Sequence, residues 1–166
     1  MNTDTVFTFT CPVKTNSGNK ALENLPIELS DLNAGKPLIV TNIGKVGRTA
    51  IRTLTGAFGD SGMTLGVFDG LTDKVNPTLI EQLRTTFIEE KYDSMIALGG
   101  GTIVDSAKVL NLAVSMKTVD VQSLSAQTTI RKSLLPLVVV PTANVTGLET
   151  SQLVDLNGTI LSSEYL

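Results

Sequence analysis

The sequence predicts an α/β fold: a Rossmann-like parallel sheet with helices on both faces, plus a small N-terminal edge strand and a C-terminal β-hairpin. Three observations predict it. Short, wholly apolar runs such as Leu38-Ile39-Val40 and Leu137-Val138-Val139-Val140 suit strands buried on both faces. Segments with helical apolar spacing separate such runs at intervals of about 30 residues, the spacing of βαβ units. One apolar run ends directly in Gly99-Gly100-Gly101, and a helix-like segment starts at once.

The elements follow in order. Val6-Phe7-Thr8-Phe9-Thr10 alternates and reads as an edge strand, followed by a polar turn at Asn16-Ser17-Gly18-Asn19. Leu38-Ile39-Val40-Thr41, after Lys36-Pro37, is the first buried parallel strand. Val46, Ala50, Ile51, Leu54, Ala57 and Phe58 have helical spacing. Met63 to Phe68 is the next strand. Asn76-Pro77-Thr78 starts a helix, with Asn76 as N-cap and Pro77 at the first helical position. Leu79, Ile80, Leu83, Phe87 and Ile88 form its buried stripe. Ser94 to Leu98 is a strand, Thr102 to Met116 a helix, and Leu137 to Val140 a strand ending at Pro141. Gln152-Leu153-Val154 and Thr159-Ile160-Leu161 flank Asn157-Gly158, a strong hairpin signal.

Composition narrows the function. The 166 residues suit one domain spanning 1–166, and a chain that is 42% hydrophobic can bury a core. A net charge of −3 gives no reason to expect a nucleic acid or an anionic membrane as partner. Cys11 stands alone, so no intrachain disulfide forms and a reducing, cytoplasmic setting fits. No apolar stretch is long enough to span a bilayer, and the N-terminus lacks the pattern of a signal peptide. There is no His, so the commonest metal ligand and neutral-pH acid/base is missing. The remaining carboxylates have no metal-site spacing.

The ligands of such a sheet bind beyond the carboxyl ends of its strands. The loops there are 42–45, 69–76, 99–102 and 142–147. Gly99-Gly100-Gly101-Thr102 offers backbone N–H groups and a hydroxyl at a helix start, where a pyrophosphate is held well. The same four residues also fit a plain strand-to-helix turn, and they are neither G-x-G-x-x-G nor a P-loop. Asp105 either caps the helix against Thr102, with Lys108 as an ion-pair partner one turn on, or points along the cleft to a ribose, amide or substrate hydroxyl. Thr142 and Thr146 either bond a ligand in the same crevice or belong to a polar loop. Asn42 ends a strand where dinucleotide folds often place an acidic residue on the adenosine ribose. Lys45 and Arg48 lie near enough in sequence to favour a 2′-phosphate there, or are surface charges.

Together these segments resemble the iron-containing (group III) alcohol dehydrogenase family. The resemblance rests on Leu38-Ile39-Val40-Thr41-Asn42, then Phe68-Asp69-Gly70 with Asn76-Pro77-Thr78. It continues through Gly99-Gly100-Gly101-Thr102, Asp105 and Ala107-Lys108, then Val140-Pro141-Thr142, Thr146-Gly147 and Glu149. Glycerol dehydrogenases and dehydroquinate synthases share the glycine segment; the Asn-Pro-Thr and Pro-Thr segments are similar to the alcohol dehydrogenases.

The resemblance implies an N-terminal dinucleotide-binding domain, which is this chain, and a C-terminal helical domain outside it. The latter carries an Asp and three His for Fe²⁺ or Zn²⁺, which polarises the alcohol oxygen while hydride passes to NAD or NADP. By position, Gly99, Gly100, Gly101 and Thr102 hold the pyrophosphate and Asp105 faces the nicotinamide side. Thr142 and Thr146 contact the cofactor, and Asn42 lies at the adenosine ribose. Asn42 stands where the family usually has Asp, which leaves NAD and NADP both open. Residues 142–146 read Thr-Ala-Asn-Val-Thr where the family usually has Thr-Thr-Ala-Gly-Thr. The expected function is the nucleotide-binding part of an alcohol/aldehyde oxidoreductase acting on a small molecule, inactive by itself. The alternative is a non-catalytic nucleotide-binding or interaction domain of the same descent. In either case the face next to the missing domain is expected to associate, with that domain or as a homo-oligomer.

Overall fold

The computed structural model describes residues 13–116, 120–121, 133–142, 147, 149–151, 153–156 and 159–162. The strand expected at 6–10, Cys11, Thr146 with its neighbours 143–145, and the turn at 157–158 lie outside the described residues.

Four parallel strands form the central sheet: β1 (Pro37–Thr41), β2 (Gly66–Phe68), β3 (Ser94–Leu98) and β4 (Leu137–Val140), in the order β2-β1-β3-β4. Helices α2 (Ile43–Gly56), α3 (Pro77–Glu89) and α4 (Gly101–Met116) connect them in turn. The register sets Thr41 beside Leu98 and Leu98 beside Val140, so β1, β3 and β4 end level. A separate antiparallel pair, β5 (Leu153–Leu156) and β6 (Thr159–Ser162), has Leu156 opposite Thr159, as the Asn157-Gly158 hairpin signal predicts.

Alternation along the strands divides the core into two layers. Leu38, Val40, Met95 and Ala97 pack with Ile80, Leu83 and Phe87 of α3 and with Ala107 and Leu110 of α4. Ile39, Ile96 and Leu98 face the other way, against Leu54 of α2, Phe58, and Leu25 and Leu29 of α1 (Leu25–Asp31). Helices therefore cover both faces, as the apolar strand runs require. The connection through α2 steps outward along one face and those through α3 and α4 step back along the other. Reversing direction and face together keeps a single crossover hand.

Several boundaries differ from the sequence reading. Helix α1, preceded by a 3₁₀ turn at Ala21–Asn24, was not anticipated; Pro26 at its start and the Leu25/Leu29 pair were its signals. Helix α2 begins at Ile43 rather than Val46, because the Asn42 side chain caps it. It is broken at Gly47, whose φ of 79° and ψ of 154° no helix contains. The expected strand Met63 to Phe68 shrinks to Gly66–Phe68: Gly62, at φ 71°, turns the chain, and only three residue pairs join β2 to β1. Ile88, read as part of the buried stripe of α3, is 52% exposed, since it lies about 100° round the helix from Phe87. Asn76 and Pro77 behave as expected, with Asn76 Oδ1 accepting the Leu79 N–H at 3.2 Å.

Candidate functional site

The strand order reverses between β1 and β3, because β1 leads outward to β2 while β3 returns on the other side. In an open α/β sheet this switch point leaves a crevice beyond the carboxyl ends of the two strands. Its floor is joined by the buried Thr41 hydroxyl, which donates to the Leu98 carbonyl at 2.7 Å.

The glycine segment leaves β3 at that crevice. The Gly99 N–H donates to the Val140 carbonyl at 3.0 Å, tying the turn to β4. Gly99 has φ 150°, and a Cβ there would lie 2.2 Å from Ile103 Cδ1. Glycine is required by backbone conformation and by close packing alike. The Gly100 carbonyl accepts from Ile103 and Val104 at 3.0 and 3.1 Å, so Gly100 ends the turn and α4 starts at Gly101. Of the two readings of Asp105, the capping box would need Thr102 at the N-cap, and Thr102 lies instead in the first turn of α4. The N–H groups of Gly100, Gly101 and Thr102 meet no acceptor among the described residues. Three orphan donors at a helix N-terminus, with its partial positive charge, form an anion cradle.

Thr102, at the end of the glycine segment, borders a cleft of about 970 Å³ that Thr72 to Pro77 and Asp105 also line. Of the loops that the sequence places at the strand ends, 69–76 thus contributes its residues from Thr72 on and 99–102 contributes Thr102 to one space. Asp105 is only 6% exposed yet borders this cleft. Thr142 is exposed just beyond β4.

Asn42 is committed locally. Its Nδ2 donates to the Leu71 carbonyl at 2.6 Å and its Oδ1 accepts from the Lys45 N–H at 3.2 Å, so its amide pins the 69–71 loop to the start of α2. Lys45 pairs with Asp73 at 2.9 Å, linking the loops after β1 and β2 at the surface beside the cleft.

A buried charge cluster behind the cradle was not legible in the sequence. Lys108, read as a possible ion-pair partner on the helix, is 3% exposed, and its Nζ donates to the Ser151 carbonyl at 2.6 Å. Burial lowers the Lys108 ammonium pKa below its ordinary value, and the carboxylates of Asp105 and Glu149 oppose that shift.

The donor set fits a phosphate and does not fit a metal. Among the described residues no group of three or more His, Cys, Asp or Glu could hold a metal ion, and the sequence has no His. No helix among the described residues is long and apolar enough to cross a membrane.

Comparison with known proteins supports the fold and the family. The chain is 32% identical over 105 residues to maleylacetate reductase 1 of Cupriavidus pinatubonensis, covering 63% of this chain and 27% of that protein. It is 25% identical to lactaldehyde reductase of Escherichia coli, covering 81% and 35%. The chain thus spans about a third of the length of these curated relatives. Among solved structures, NADH-dependent butanol dehydrogenase A of Thermotoga maritima superposes with a TM-score of 0.83 at 20% identity, over 96% of this chain and 42% of that one. Sulfoacetaldehyde reductase of Bifidobacterium kashiwanohense, in complex with NAD⁺, gives 0.81 at 16% identity, over 96% and 44%. The model of the iron-containing alcohol dehydrogenase family matches residues 12–158, nearly the whole chain, and this protein belongs to that family.

Proposed function

We propose that this chain is the dinucleotide-binding part of an NAD(P)-dependent oxidoreductase that interconverts a small alcohol and its carbonyl form. The observation that carries this reading is the set of three amide donors, Gly100, Gly101 and Thr102, at the β1/β3 switch point, where Thr102 borders a cleft of about 970 Å³. A pyrophosphate satisfies those donors, and the Thr102 hydroxyl adds one more. Asp105, one turn further along α4, would accept a hydrogen bond from a ribose hydroxyl or a carboxamide in the same cleft. By the family resemblance, Thr142 and Thr146 would contact the cofactor as well. Asn42 would act at the adenosine ribose by shaping the rim, since its amide is already engaged. The bound cofactor supplies a hydride donor or acceptor at its nicotinamide ring.

In this reading the metal would be held by the C-terminal helical domain that the family resemblance implies, since the described residues here offer no metal site. Binding without turnover is therefore the expected behaviour of this chain alone. The test is a fluorescence titration of the folded chain with NADH and with NADPH. Saturable binding of at least one supports the assignment; no binding of either overturns it. The Thr-Ala-Asn-Val-Thr sequence at 142–146, which departs from the family's usual pattern, favours a second reading, a non-catalytic nucleotide-binding module. Turnover on adding the helical domain of a family relative with Fe²⁺ or Zn²⁺ would decide for the first.

A further inference from the structure

Resting on the dinucleotide reading above, we infer that Lys108 is a positioning residue of this site: its buried ammonium cancels the Asp105 charge in the cleft and holds the segment that follows β4. Four observations lead there. Asp105 and Thr102 border the same cleft, so the Asp105 charge lies next to the space an incoming pyrophosphate would enter. Like charges in a poorly hydrated space repel, and an uncompensated carboxylate would oppose the ligand that the cradle attracts. Lys108 follows Asp105 by three residues on α4, which sets the two side chains on one helix face. It is 3% exposed, and its Nζ donates to the Ser151 carbonyl at 2.6 Å.

A buried ammonium is costly unless charge and hydrogen bonds compensate it. Among the described residues, the charged side chains acting on Lys108 are Asp105, from its own helix, and Glu149, from the segment before β5. The ammonium therefore feels one carboxylate that borders the cleft and one from the stretch between β4 and β5. One cation both lowers the negative field at the cradle and fastens the far end of that stretch, through Ser151, to the helix whose N-terminus forms that cradle. A plain packing role would need only the aliphatic stem of a lysine; the carbonyl at 2.6 Å and the flanking carboxylates use its charge.

The test has a ligand-free arm and a binding arm. In the first, the Lys108 ¹³Cε resonance is titrated in the wild type and in Asp105→Asn. The ammonium pKa is expected to be lower in the variant, because a supporting carboxylate is gone; an unchanged titration overturns the inference. In the second, the affinity for inorganic pyrophosphate, which does not call on Asp105 as a hydrogen-bond acceptor, is measured for the wild type, Lys108→Met and Lys108→Met/Asp105→Asn. The single variant should bind about tenfold more weakly, as when one partner of a buried charge pair is truncated. The double variant should recover most of that loss, and losses that merely add would leave Lys108 a packing residue only. A folded wild type that binds neither NADH nor NADPH would remove the dinucleotide reading, while the titration would still decide the charge pairing.

Discussion

The Thr41 hydroxyl donates to the Leu98 carbonyl across the ends of β1 and β3, and this buried 2.7 Å bond floors the crevice at the switch point. Thr41→Val keeps the shape and removes the donor. The expected cost is about 1 kcal/mol, read as a lower urea midpoint with an unchanged denaturant slope. NADH affinity should weaken by less than about threefold, because the hydroxyl is spent on the protein and not on a ligand.

Gly99→Ala should damage both fold and site. The added methyl would lie 2.2 Å from Ile103 Cδ1, at a φ of 150° that L-residues avoid. We expect about 1–3 kcal/mol of destabilisation and loss of detectable NADH binding. Adding Ile103→Val deletes the clashing Cδ1 while leaving the backbone strain. Thermal melting should therefore show partial recovery in the double variant, and full recovery would mean that sterics alone demand the glycine.

Lys108 gives the chain a signature at alkaline pH. Its folded pKa is depressed by burial, so between that value and the unfolded value near 10.5 the unfolded state binds more protons. Stability contributed at this site must rise with pH through that window, and the burden of the buried ammonium is fully present below it. Urea denaturation from pH 8 to 10.5 should show Lys108→Met lacking this gain. A parallel pH dependence in the two proteins would contradict the assignment.

Cofactor choice is testable at Asp73. The Lys45–Asp73 pair is exposed, so breaking it should change stability by less than about 1 kcal/mol. Asp73→Asn frees the Lys45 ammonium beside the cleft and removes a repelling carboxylate. The ratio of NADPH to NADH affinity is expected to rise several-fold, measured by paired fluorescence titrations; an unchanged ratio would place the 2′ position elsewhere.

What the sequence made legible follows the range of the interactions involved. The N-cap at Asn76 with Pro77, the strand cores and the glycine turn are each set within a few residues, and they stand where the patterns place them. The fate of Ile88 depends on angular position within a turn, finer than an apolar run reports. Asn42 has the residue type of a ribose ligand, yet its amide is taken up by Leu71, 29 positions away. Lys108 has the local pattern of a surface ion pair. Its burial is decided by Ser151, 43 positions on, which no helical periodicity encodes. Helix α1 carries a weak signal because its buried apolar content is a single pair, Leu25 and Leu29, whose partners lie in α2 and the sheet.

The break at Gly47 divides α2 mechanically. The residues before it are fastened to the rim of the cleft through Asn42 and Leu71 and touch the core through the half-buried Val46, and those after it are fastened to the core through the buried Leu54. A helix transmits displacement along its axis only while its ladder of bonds is continuous, and at φ 79° that ladder is interrupted. The rim is therefore hinged rather than rigidly levered. It can shift to close on a cofactor without dragging Leu54 out of the core, and amide exchange before Gly47 should be faster than after it.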